Sequence, residues 1–137
     1  MRSIVLLVLI ICVALVSAGV TAVLYANWYT LDTITLYAEL QVSDSVGFNA
    51  DTDGLFFGRG LQGGGVTRSV DIRNVYGTPI RVYVLAGGPI AQFISVEQPI
   101  ELDTGESKRV DVAALIPADT PFGNYTGAVS FFYRRAQ

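Results

Sequence analysis

The run IVLLVLIICVALVSAGVTAVLYA, residues 4–26, carries no charged residue. A helix needs roughly 20 mostly apolar residues to cross about 30 Å of hydrocarbon, and this run is long enough. Read as a helix it is apolar on every face, which argues against a core helix of a soluble domain with one side toward water. Two readings remain open. As a secretory signal, Arg2 is the basic n-region, residues 4–16 the apolar stretch, and Val16-Ser17-Ala18 a small-residue cleavage site. As an anchor, the whole run stays. Retention is favoured because apolar character continues past Ala18 through Val20, Ala22, Val23 and Leu24. Tyr25, Trp28 and Tyr29 then form a membrane-interface belt of the kind found where a helix leaves the bilayer. Lipid attachment at Cys12 fits poorly, since Ile11 is bulky where a small residue normally precedes a lipidated cysteine. Arg2 precedes the run, and the first charges after it are Asp32 and Glu39. The positive-inside tendency therefore puts the N-terminus in the cytoplasm and residues from about 30 onward outside. Both readings share that outside placement.

After Thr33 the apolar pattern changes period. Ile34, Leu36, Ala38, Leu40 and Val42 alternate with polar residues or Tyr37, which describes a half-buried strand. The same alternation sets Val70 and Ile72, then Ile80, Val82 and Val84, then Val110 and Val112, then Val129, Phe131 and Tyr133, on one face each. Residues 55–59 and 89–97 are weaker strand candidates. Turn signals separate these stretches: Asp53-Gly54, Gly63-Gly64-Gly65, Gly77-Thr78-Pro79, Gly87-Gly88-Pro89, Thr104-Gly105 and residues 117–123. No helical period follows residue 30. About seven short strands read as an antiparallel, immunoglobulin-like β-sandwich. The expected organisation is an N-terminal transmembrane α-helix in residues 1–30 and an all-β extracytoplasmic domain in residues 31–137. A short stem at residues 27–33 would hold the domain close to the bilayer.

GGGVTRSVDIRNVYGTPIRVYVLAG is similar to the strand–Asn–turn–strand unit of many surface β-sandwich domains. IELDTGESKRVDVAALIPADTPFGNYTGAVSFFY resembles their closing half, with a Gly-Glu turn before one strand and a Gly-x-Tyr-x-Gly segment leading into the last. A helix followed by one such domain resembles small archaeal-type single-pass envelope proteins, archaellum stator subunits among them. The resemblance implies a sandwich fold and no catalytic residues.

Several chemistries are disfavoured by composition. There is no His, so the commonest general base and metal ligand are missing. The lone Cys12 permits neither an intrachain disulfide nor a cysteine zinc site. Net charge is −3 and the basic residues are scattered, with only Lys108-Arg109 and Arg134-Arg135 adjacent, so no clustered basic face exists for nucleic acid. Ser69, Ser95 and Ser130 have no His partner, and Gly63-Gly64-Gly65 is followed by neither Lys nor a helix start. An enzyme and a cofactor are not expected. Two local motifs stand out. NADTDG offers Asn49, Asp51 and Asp53 as a weak calcium candidate, but the twelfth loop position is Gly60 rather than an acid, which favours a plain turn. Asn124-Tyr125-Thr126 is a glycosylation sequon just after a turn.

The expected function is a structural or protein-interaction role in the cell envelope. Contacts to an envelope protein or a second copy would use sheet edges and the exposed aromatics Tyr37, Tyr83 and Phe132, with the lipid bilayer held by the helix. A pilin-like or strand-exchanging filament subunit is the first alternative, and a secreted binding module left after signal cleavage is the second.

Overall fold

The computed structural model describes residues 1–45, 47 and 54–136. Helix α1, Arg2–Tyr29, opens the chain, followed by β1 Thr30–Val42, β2 Leu55–Gly60, β3 Gly65–Arg73 and β4 Ile80–Gly87. A 3-10 helix at Pro89–Phe93 leads into β5 Ile94–Val96, β6 Ile100–Leu102, β7 Ser107–Leu115 and β8 Gly123–Arg135. The strands form two sheets, one of five strands in the order β2-β1-β8-β4-β6 and one of three in the order β3-β7-β5. The long apolar helix followed by a two-sheet sandwich is the expected fold class, with eight strands where about seven were read.

The core is where the period-two faces of both sheets meet. Leu40, Phe57, Val82, Val112, Val129 and Phe131 are fully buried there. Ile90 and Phe93 of the 3-10 helix close one end of it, and Phe93 packs edge-on against Tyr125 with centroids 4.8 Å apart. Residues 89–97, a weak strand candidate, are thus a 3-10 turn with only a short strand after it. Pro89 presets the first helical φ, and the spacing of three between Ile90 and Phe93 puts both on one side of a three-residue turn. Gly88 and Gly127 let this turn approach β8. A Cβ on Gly127 would strike the Gly87 carbonyl, and Gly88 takes φ 82° with Gly127 Cα close by.

Every strand pair is antiparallel except one. β2 lies parallel to β1, with Ala38 opposite Leu55 and Val42 opposite Gly60. A parallel neighbour cannot be joined by a two-residue hairpin, and twelve residues separate Val42 from Leu55 in the sequence. The outer edge of β2 is bridged by Gly47, whose carbonyl accepts from Arg59 N at 2.8 Å. β6 covers β4 only as far as Val82, and the next inward-facing amide, Val84 N, donates instead to the Gln98 side chain at 2.8 Å.

Two expectations are corrected at the foot of β1. No stem separates helix from strand: α1 ends at Tyr29 and β1 begins at Thr30, which already pairs with Arg134 of β8. Ile34 has the parity of the core face and sits opposite buried Phe131, yet it is 44% exposed. Burial on β1 begins only at Ala38, where β2 joins it. Phe131, Tyr133, Val82 and Ile80, at and below the level of Ile34 on β8 and β4, are nevertheless buried, so the core covers those strands and leaves the first half of β1 open. The core therefore covers only the upper part of a strand about 43 Å long, and the lower part of β1 pairs with β8 alone on its way to the helix.

Candidate functional site

The C-terminal end of α1 is built into the sheet. Tyr25 and Tyr29, one helical turn apart, stack with centroids 6.0 Å apart and planes at 6°. Trp28 stays 62% exposed. The guanidinium of Arg135 stands over the Trp28 ring at 4.5 Å, and its Nε donates to the Trp28 carbonyl at 3.0 Å. That carbonyl is one of the last four of the helix, which have no partner within it, and a cation there also meets the negative end of the helix dipole. Arg134, on the other side of β8, stands over both the Tyr29 ring at 5.6 Å and the Tyr83 ring at 5.4 Å. Arg134 and Arg135, read in the sequence only as a scattered pair, thus form a collar with the aromatic belt. The signal that would have found them is register. An antiparallel last strand paired to the first along its whole length must bring its final residues to the helix exit.

The outer face of the five-stranded sheet rises from this collar. Register places Tyr83 beside Phe132 and Phe132 beside Thr33, so two of the three aromatics named as a contact surface are neighbours. Both are half-buried rather than exposed: Phe132 lies between β1 and β4, and Arg134 stands over the Tyr83 ring. Tyr37 is exposed and packs on Phe56 of β2 with centroids 5.8 Å apart. Leu85, 64% exposed, lies on the same face beside Ser130. Ser130 Oγ and Thr35 Oγ1 are 3.0 Å apart and tie β8 to β1 between the aromatic groups. At the upper end Glu39 accepts from the Tyr37 hydroxyl at 3.3 Å and from Asn124 Nδ2 at 3.3 Å. Desolvation, then the Glu39 carboxylate, holds the Tyr37 phenol above its ordinary value.

The local motifs fall elsewhere. Asn49, Asp51 and Asp53 lie outside the described residues. Among the described residues no three His, Cys, Asp or Glu side chains converge on a metal position. Asn124 is exposed, and it is the second residue of β8, opposite Gln41, rather than lying between the turn and the strand. It stands at the end of the sandwich far from the helix. Ser69 bonds the Asp111 carboxylate across β3 and β7 on the solvent face. Arg109 with Asp71 at 2.9 Å, also across β3 and β7, and Arg81 with Glu101 at 2.8 Å, across β4 and β6 of the other sheet, are cross-strand ion pairs. The Arg109 guanidinium lowers the Asp71 carboxyl below its ordinary range.

No protein-family model, no curated protein and no solved structure matches the chain.

Proposed function

We propose that this chain is a single-pass envelope protein, with α1 retained in the membrane, its N-terminus in the cytoplasm, and the sandwich outside as a non-enzymatic interaction module. The observation that carries the reading is the 28-residue apolar helix, exposed along its length, that runs without a break into β1. In water such a surface would aggregate; in lipid it satisfies every backbone group within itself. The Arg2 flank and the absence of Lys or Arg just after the helix favour the outward orientation. The outer sheet face around Tyr37, Leu85 and Phe132 is the surface for an envelope protein or a second copy, since aromatic residues on a flat sheet give contact area at low entropic cost. The archaeal-type, immunoglobulin-like resemblance belongs to this proposal and raises the weight of a structural role over a catalytic one.

The test combines intact mass, membrane fractionation and external protease. An anchored protein keeps residues 1–18, leaves the membrane only with mild detergent, and loses its β-domain to protease added outside. Recovery of a soluble form beginning at Gly19 would make it a secreted module. Sedimentable material that resists mild detergent would make it a filament subunit.

A further inference from the structure

We propose that the collar of Arg134 and Arg135 binds the phosphate headgroups of anionic lipids in the leaflet beside the sandwich. The inference rests on the reading of α1 as a membrane anchor. Counting about 1.5 Å per residue from Ile4, Trp28 lies about 36 Å along the helix, beyond about 30 Å of hydrocarbon and so in the headgroup layer. The two guanidiniums that touch Trp28 and Tyr29 are held at that depth.

Their hydrogen-bonding capacity is almost unused. An arginine has five N–H donors. Among the described residues Arg135 spends one, on the Trp28 carbonyl, and Arg134 spends none, its Nε being shut from solvent without a partner. Neither joins an ion pair among the described residues. The acids nearest in register are already engaged: Glu101 with Arg81, and Asp32 with Thr33 N and the Tyr76 hydroxyl. Contact with aromatic rings holds each guanidinium in place while leaving N–H donors for a phosphate, whose paired oxygens match the planar fork. Val75 adds an apolar contact at the same end. It is 73% exposed on the turn whose Tyr76 bonds Asp32 and whose Pro79 carbonyl accepts from Ala136 N. Positive donors beside exposed aromatic and apolar side chains fit a lipid headgroup with its acyl chains, and a free phosphate would use only half of the site.

Trp28 is the sole tryptophan and reports on its own surroundings. The full chain is reconstituted in phosphatidylcholine vesicles containing a minority of phosphatidylglycerol, with brominated acyl chains on one lipid or the other at equal mole fraction. Brominated phosphatidylglycerol is expected to quench Trp28 about fivefold more effectively than brominated phosphatidylcholine. The excess should shrink in R134Q and in R135Q and vanish in R134Q/R135Q, while R109Q, on the smaller sheet, keeps it. The single variants and the parent's own selectivity guard against misfolding of the double variant. Equal quenching by both lipids in the parent overturns the inference and leaves the anchor standing. No quenching by either overturns the anchor reading and the inference together. An excess that persists in all three variants overturns the assignment to these arginines. In vesicles of phosphatidylcholine alone, inorganic phosphate should leave Trp28 emission unchanged; a saturable change would make this a soluble-anion site and overturn the lipid assignment.

Discussion

Asn74 has no exposed surface and ties two turns together. The two N–H groups of its Nδ2 serve the carbonyls of Thr78 at 2.9 Å and Asp103 at 3.0 Å, with that of Leu102 sharing one of them at 3.3 Å, and its Oδ1 accepts from Tyr76 N at 3.0 Å. Removing the side chain would leave the Leu102 carbonyl buried without this partner and the other groups only partly open to water, at about 1–3 kcal/mol for each that water cannot reach. Asn74→Ala is expected to lower stability by about 3 kcal/mol, and Asn74→Asp by at least as much, because a carboxylate has no N–H to give and would face the carbonyls that the amide's two N–H groups satisfy. Urea melts of both variants check this; a loss under about 1 kcal/mol would mean that water replaces the side chain. Tyr133 makes a second prediction. Burial first, then the neighbouring Tyr76 and the Asp32 charge, holds its phenol above the ordinary value of 10.0. The folded state grips this proton more tightly than the unfolded chain does. Its contribution is therefore complete below pH 10.0 and is lost as pH rises through the higher folded value. Tyr133→Phe should flatten the alkaline decline in melting temperature. Parent and variant falling in parallel above pH 10.0 would refute it.

At the scale of elements, β8 is the test of register. Phe131 is 1% exposed between the sheets, while Phe132 faces outward between Thr33 and Tyr83. Phe131→Ala should cost about 3–5 kcal/mol and Phe132→Ala clearly less, measured as thermal melts of the full chain in detergent. Equal losses would mean the strand is slipped by one residue. Strand faces of this kind were legible in the sequence because alternation records which side meets water, and Val82, Val112, Val129 and Phe131 are core as the period indicated. The helix was legible for a simpler reason: its apolar run has no polar side. Elements whose form depends on distant partners were not legible. The parallel placement of β2 depends on its pairing with β1, the 3-10 turn on a cavity end that Ile90 and Phe93 must fill, and the exposure of Ile34 on its place in the half of β1 that β2 does not flank. The collar was hidden for the same reason. Arg135 and Trp28 are 107 positions apart, and only the full β1–β8 register makes them neighbours. Under the proposed topology their distance in sequence is also consistent with the orientation argument, because positive-inside bias counts charges in short flanking segments and these two come to the end of the helix only through folding.

At the scale of the molecule, helix and sandwich behave as one body only if the junction is stiff. Nothing on α1 is buried against the sandwich, so the coupling rests on the unbroken step from Tyr29 to Thr30 and on the arginine–aromatic contacts. Each such contact is worth about 0.5–1 kcal/mol when exposed and about 2 when desolvated. Together they suffice to orient the domain but not to fold it. Six Gly/Ser residues inserted between Tyr29 and Thr30 would add a flexible span of about 14 Å. The core would be untouched, so the melting temperature of the sandwich should stay close to that of the parent. The domain should instead turn freely. A fluorophore on Asp44→Cys, in a Cys12→Ser background, would report this through its anisotropy decay in vesicles. The parent should retain a high residual anisotropy, because the label follows a helix held in lipid, and the insertion should lose most of it. Equal decay in both proteins would mean that the collar does not couple the two parts, and the sandwich would then be a tethered module free to choose its own angle above the membrane.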